Sequence, residues 1–240
     1  MTDFTADDLF DAVDRIVRDL LERSGIDDPP IDAIALAQHA FNLLVAEAEE
    51  EHEPQYGDRP RRKRPREIVL RADLSEEGRN AVCARACAKE LLPAVLAKLG
   101  VVPGTENRSA QTSLVASIVP RLLLPTRWFD KDSHKAGFDL VALKDRYLTV
   151  SYEMIALRWL DLDDPCVIAI VDDGAVATRR GNRSAAGRVL TAAETACLGR
   201  VEAEREPQTL RRDDWTSRGW PVPNGPFNRI ILRSVPDDLY

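Results

Sequence analysis

The chain has 240 residues, 44% hydrophobic and 30% charged, enough apolar material to bury one large core or two small ones. A formal net charge of −7 excludes broad, non-specific adhesion to nucleic acid, and no apolar run approaches the roughly 18 residues that a membrane span requires. The start "MTDFTADDLF" is acidic where a signal peptide is basic and then apolar, and cysteines at 83, 87, 166 and 197 form no compact disulfide framework, so the expectation is a soluble, cytoplasmic protein with reduced thiols and no membrane partner.

Residues 5 to 24 place Leu9, Val13, Ile16, Val17, Leu20 and Leu21 on one helical face, and Gly25 supplies a stop. After "DDPP", the stretch "IDAIALAQHAF" repeats the helical spacing and "NLLV" turns toward a first strand. The acidic "EAEEEHE" at 47 to 53 is then followed by "RPRRKRPR", which packs Arg59, Arg61, Arg62, Lys63, Arg64 and Arg66 into residues 59 to 66. Its two prolines argue against a helix, so the segment reads as an exposed loop, either solvated or in contact with an anion or nucleic acid. "EIVLRA" at 67 to 72 alternates like a strand.

The long segment from Ser75 to Gly100 reads as a helix with two cysteines four residues apart. At about 100° per residue, Arg85, Lys89, Leu92, Leu96 and Leu99 form one stripe, with Cys83, Cys87, Glu90 and Ala94 on the other side. Cations facing where leucines face predict carboxylate partners within the fold or a partly open cleft, unless the two side chains snorkel out of an ordinary core helix. Pro93 cannot donate to the carbonyl of Lys89 and is expected to kink the helix. Cys83 and Cys87 have the spacing of two thiolate ligands, but no third or fourth ligand stands nearby, which favours small apolar packing.

Residues 109 to 124 form another apolar helix, and "TRWFDKD" reads as a connection. Between Phe138 and Leu162 two short helices meet near Thr149 in a helix-turn-helix-like arrangement, whose second helix, "VSYEMIALRWL", offers Tyr152, Glu153 and Arg158. "CVIAIVDDGAVATRR" gives two strand runs around Asp173 and Gly174, a pair suited to a two-residue hairpin turn. A helix at "TAAETACLGRVEAE" and a last strand at "FNRIILRSV" complete an α+β chain with helices preceding a small C-terminal sheet. Trp128, Trp159, Trp215 and Trp220 read as packing residues. Phosphate-loop, nucleophile-elbow and dinucleotide-binding glycine motifs are absent, and "DLDD" at 161 to 164 lacks the further ligands of a calcium loop.

Three stretches in order, "LLERSGIDDPPIDAIALAQHAFNLLV", "SIVPRLLLPTRWF" and "DLVALKDRYLTVSYEMIALRWLDL", resemble the ImmA/IrrE family of zinc metallopeptidase-like proteins, cytoplasmic proteins of bacteria and phages whose characterised members cleave transcriptional repressors in stress or phage regulation. The resemblance touches most of residues 15 to 175 and implies a zincin-like, mostly helical domain with a small sheet over 1–130. A helix-turn-helix-like segment over 131–162 and a small α+β region with a β-hairpin over 163–240 follow.

Zincins of this kind hold their metal through His-Glu-x-x-His on a helix, with a glutamate from the following helix as third ligand. In the best register Arg85 and Lys89 stand at the two histidine positions and Ala86 at the glutamate; the alternative register keeps Glu90 but puts Lys89 and Pro93 where histidines belong. His39, His52 and His134 contain no i, i+4 pair, and the following helix shows no acidic residue around "TSLVAS", Glu106 lying before it. The resemblance therefore implies no catalytic or metal-ligating residue and no zinc, although zinc is expected of the family. A peptidase-like scaffold that regulates or binds, with a repressor or other regulatory protein as partner, is the leading expectation. The alternatives are a DNA-binding transcriptional regulator using residues 139–161, and an active hydrolase with an atypical metal site.

Overall fold

In the computed structural model, which describes residues 4–48, 66–101, 108–183, 186–224 and 227–237, the chain divides into two units between Ser151 and Tyr152. The sequence places boundaries at 130 and 162 instead. The first of these runs through a helix and the second falls after a helix that belongs to the C-terminal unit.

The N-terminal unit opens on α1 (Ala6–Arg23), started by a capping box in which Thr5 accepts from the Asp8 amide at 3.1 Å and Asp8 accepts from the Thr5 amide at 2.9 Å. Its buried face is Leu9, Ala12, Val13, Val17, Leu20 and Leu21. Helix α2 (Ala33–Phe41) is capped by Asp32 and ends on Asn42 in the left-handed region, after which β1 (Leu44–Ala48) pairs in parallel with β2 (Glu67–Arg71). Helix α3 (Glu76–Lys98), capped by Ser75, packs against α1, α2 and α4 (Arg108–Leu123). It runs unbroken through Pro93, which lies on the exposed side of the helix, where water can serve the Lys89 carbonyl that proline cannot. The expected connection "TRWFDKD" is a helix, α5 (Thr126–Lys135): Pro125 supplies a φ of −56° at its start, and Phe129 and Ser133 are the only buried residues of a polar sequence, so its apolar period is faint. Helix α6 (Leu140–Arg146), capped by Asp139, completes the unit.

The C-terminal unit begins with α7 (Tyr152–Arg158) and a 3-10 turn at Trp159–Asp161. Strands β3 (Val167–Asp172), β4 (Ala175–Gly181), β5 (Gln208–Arg212), β6 (Trp215–Asn224) and β7 (Phe227–Pro236) form one antiparallel sheet in the order β4-β3-β7-β6-β5, with α8 (Ala192–Glu204) between β4 and β5 in the chain. The β3–β4 hairpin turns on Asp173 and Gly174, with φ of 48° and 78°, as the sequence predicts. Strand β3 does not alternate: Val167 to Val171 are all buried, because a central strand has both faces covered. The overall class is α+β, as expected, but the C-terminal sheet is larger than a hairpin.

Register assigns Ala169, Leu232 and Gly219 to one sheet face, and α8 lays Cys197 and Val201 on it. A Cβ on Gly219 would sit 2.7 Å from Leu232 Cδ2, 2.9 Å from Val201 Cγ2 and 3.2 Å from Cys197 Sγ. The opposite face carries Ile168, Ile231 and Trp220, and Trp159 packs on Trp220 with ring centroids 6.0 Å apart. On the same face Arg229 of β7 clamps Asp172 of β3 at 2.6 and 2.7 Å and reaches Glu153 of α7 at 2.5 Å.

Two outcomes follow for stability. Gly219→Ala overpacks the α8 face and should destabilise the C-terminal unit by about 1–3 kcal/mol, read as a lower melting temperature. The Arg229 guanidinium holds the Asp172 carboxyl below its ordinary range. A carboxyl lowered in the folded state contributes its stability above the unfolded pKa, and that contribution is lost as the pH falls through the folded value. Acid titration of Arg229→Gln should therefore show a shallower loss of stability below about pH 4 than the wild-type chain, followed by tryptophan fluorescence.

Candidate functional site

Helix α3 carries the residues that the sequence singles out. Its rotation is set by Asn80, buried one turn into the helix: the side-chain Oδ1 accepts from the Ala33 amide at 2.6 Å, and Nδ2 donates to the carbonyls of Ile31 at 3.3 Å and Thr149 at 3.2 Å. Thr149 adds its own hydroxyl bond to Ile31 at 3.0 Å. One side chain thus bonds backbone groups at the start of α2 and in the turn after α6, as buried polar groups require. Sequence reading passed over Asn80; the available signal was a poor helix former inside an otherwise well-patterned helix.

With that rotation, Cys83 and Cys87 point inward and are fully buried, and Cys87 Sγ lies 3.9 Å from the Ala33 carbonyl. Burial pushes the Cys83 thiol up to about 11 and the Cys87 thiol up to about 12, so both are protonated at neutral pH and behave as small apolar groups. All four cysteines are free and buried.

Arg85 and Lys89 are both exposed, while Ala86, between them in sequence, is buried at 3% exposure. The expected stripe with Leu92 and Leu96 is present, but its surroundings change along the helix: Leu92 and Leu96 are buried, and one or two turns earlier the same stripe meets solvent. No hydrogen bond or ion pair joins the Arg85 guanidinium to another described residue, so Arg85 has no carboxylate partner of the expected kind among them. Glu90 is bound instead by Arg66, and Glu77 by Lys144 at 2.6 Å.

Of the basic segment, Arg66 alone lies among the described residues; Arg59, Arg61, Arg62, Lys63 and Arg64 lie outside them. His39 is on α2 and His134 on α5, both exposed, and His52 is outside the described residues. Helix α4 packs against α3 but contains no carboxylate; its buried Arg121 reaches back to Asp14 of α1 at 3.0 Å, and Thr126 donates to the same carboxylate at 2.8 Å. The donor set does not fit zinc. A guanidinium and an ammonium have no lone pair to give, and the position of the expected general base is a methyl group.

The helix pair around Thr149 is divided, α6 falling in the N-terminal unit and α7 in the C-terminal one. Arg158 is buried and bonds Asp161 at 2.9 Å, and Glu153 is engaged by Arg229, so two of the three side chains expected to read a groove are spent inside the unit.

Replacing Asn80 by alanine removes the side-chain partner of the Ala33 amide and the Thr149 carbonyl, while Ile31 keeps its bond from the Thr149 hydroxyl, and should cost about 2–3 kcal/mol, measured by chemical denaturation, whereas Arg85→Ala should change stability by less than about 0.5 kcal/mol.

No protein-family model matches this chain, and no curated protein matches it. Eleven chains of solved structures do. Among them is a Mycobacterium tuberculosis transcriptional regulator, which superposes with a TM-score of 0.60 over 92% of this chain and 74% of its own, at 15% sequence identity. At that identity the likeness establishes a shared fold.

Proposed function

We propose that this chain is an ImmA/IrrE-like scaffold that regulates by binding and has no zinc and no proteolytic step. The observation that carries this reading is the chemistry of α3: Arg85 and Lys89 exposed at the positions of the two histidines, Ala86 buried at the position of the glutamate, and a neighbouring helix without a carboxylate. Fold likeness alone transfers no activity, and here the side chains argue against transferring peptidase chemistry. The structural neighbour's name, a transcriptional regulator, supports a regulatory role in the broad sense. DNA reading by residues 139–161 is the weaker form of that role, because Arg158 and Glu153 are committed to internal ion pairs.

None of the described helices is long and apolar enough to cross a membrane. The partner under this proposal is a repressor or other regulatory protein.

The test is metal content of the full chain purified from zinc-supplemented medium and dialysed without chelator. The expected result is substoichiometric zinc and no cleavage of a generic protein substrate. Stoichiometric zinc that survives dialysis, with chelator-sensitive cleavage, contradicts the proposal and supports a hydrolase with an atypical metal site.

A further inference from the structure

A short helix that is apolar on nearly every side must leave part of that surface uncovered when only one face packs inward. Helix α2 is such a helix: every residue but Gln38 and His39 is apolar, and Ala33, Leu36 and Ala37 take the buried positions. Ala35 and Phe41 remain half-buried and Ala40 exposed. The end of α1 borders this surplus. There Gly25, with a φ of 66°, turns the chain, so that its amide donates to the Glu22 carbonyl at 3.2 Å and the Ile26 amide donates to the Leu21 carbonyl at 2.9 Å. The turn folds half-buried Ile26 back toward the helix end, and a groove of about 680 Å³ opens over Leu20, Ile26, Leu36 and Phe41.

Arg23 and His39 stand on this groove, and no carboxylate is among the described residues that line it. Arg23 sends Nε to the Asp19 carbonyl at 3.1 Å, and its terminal nitrogens bond to no other described residue; the His39 ring has no hydrogen-bond or ion-pair partner among them either. The carbonyls of Leu20, Leu21 and Glu22 are already served by the amides of Ser24, Gly25 and Ile26, so the guanidinium is not required to satisfy the end of α1. We infer that the groove is a binding site for a small aromatic or aliphatic carboxylate, its charge held by Arg23 and His39 and its apolar body laid over Ile26, Leu36 and Phe41. The volume falls inside the range of about 300–1,000 Å³ that small-molecule sites span. A protein partner fits less well: α2 has nine residues, so its wall is about 13 Å long, and an interface of ordinary size needs about 800 Å² per partner. The inference does not depend on the scaffold reading, since none of the described lining residues belongs to α3.

The test titrates the full chain with 2-naphthoate by calorimetry, with the neutral isostere 2-naphthamide as the comparison probe. The expected result is saturable binding of the naphthoate, about tenfold tighter than the amide, with that preference lost in Arg23→Gln. Ala40→Trp, at an exposed position on the groove, fills it and abolishes binding of both probes, with melting temperatures of both variants within about 2 °C of wild type. Naphthoate binding that is no tighter than the amide, or that Ala40→Trp leaves unchanged, overturns the inference. Absence of saturable binding up to about 1 mM overturns it as well, and loss of a concentration-dependent dimer in Ala40→Trp, followed by sedimentation, would then assign the groove to a second copy of the chain.

Discussion

The rotation of α3 about its own axis decides which of its 23 residues meet solvent, and Asn80 pins that rotation. A buried amide with three backbone partners tolerates little movement, because turning the helix by one residue would break all three bonds inside a low-dielectric core. From that pin, the spacing of an α-helix does the rest. Cys83 and Cys87 fall inward against the start of α2, Ala86 is buried, and Arg85 and Lys89 emerge. The two histidine positions suggested by the family resemblance, Arg85 and Lys89, are thus presented on the surface as cations, which repel a metal ion.

Arginines elsewhere in the protein show what this fold does with a buried or half-buried cation. Arg121 is held by Asp14, Arg179 lies against both oxygens of the fully buried Glu194 at 3.1–3.2 Å, and Arg229 bridges Asp172 and Glu153. Glu194 also accepts from the Thr191 amide at 2.7 Å, so one carboxylate serves both the α8 cap and the β4 arginine. Each of these cations is tied to a carboxylate on another element, as a desolvated charge requires. Arg85, by contrast, is exposed and bonds to no other described residue, as a solvated cation can.

Much of the fold was legible in the sequence where local chemistry and burial agree. The α1 face, the Asp173–Gly174 hairpin, the α8 segment and the existence of strands near β1 and β2 follow from periodicity and turn residues, whereas the parallel pairing of β1 with β2 does not. Strands β5 and β6 were missed because arginines and prolines mask them. The physical reason they are tolerated is visible in the register: β5 pairs β6 only as far as Gly219, so Pro221 and Pro223 lie on a stretch with a free edge and interrupt no ladder there. A second hairpin on Asp213 and Asp214, with φ of 52° and 60°, uses aspartates where glycine is the usual signal. On α3 the wheel placed Arg85, Lys89, Leu92 and Leu96 on one stripe correctly, but periodicity carries no information on where along a helix its neighbours stop covering it.

The orientation of α3 is the premise for the proposed function, and thiol reactivity in the native state measures it directly. Single variants Arg85→Cys and Lys89→Cys, treated with a thiol-reactive chromophore at neutral pH, should each gain a rapidly labelled thiol, while Cys83 and Cys87 stay protected as buried, protonated groups until the chain unfolds. Rapid labelling of Cys83 or Cys87 in the folded wild-type chain, or protection of the introduced thiols, would show that α3 turns the other way and that the cations do not form the exposed stripe.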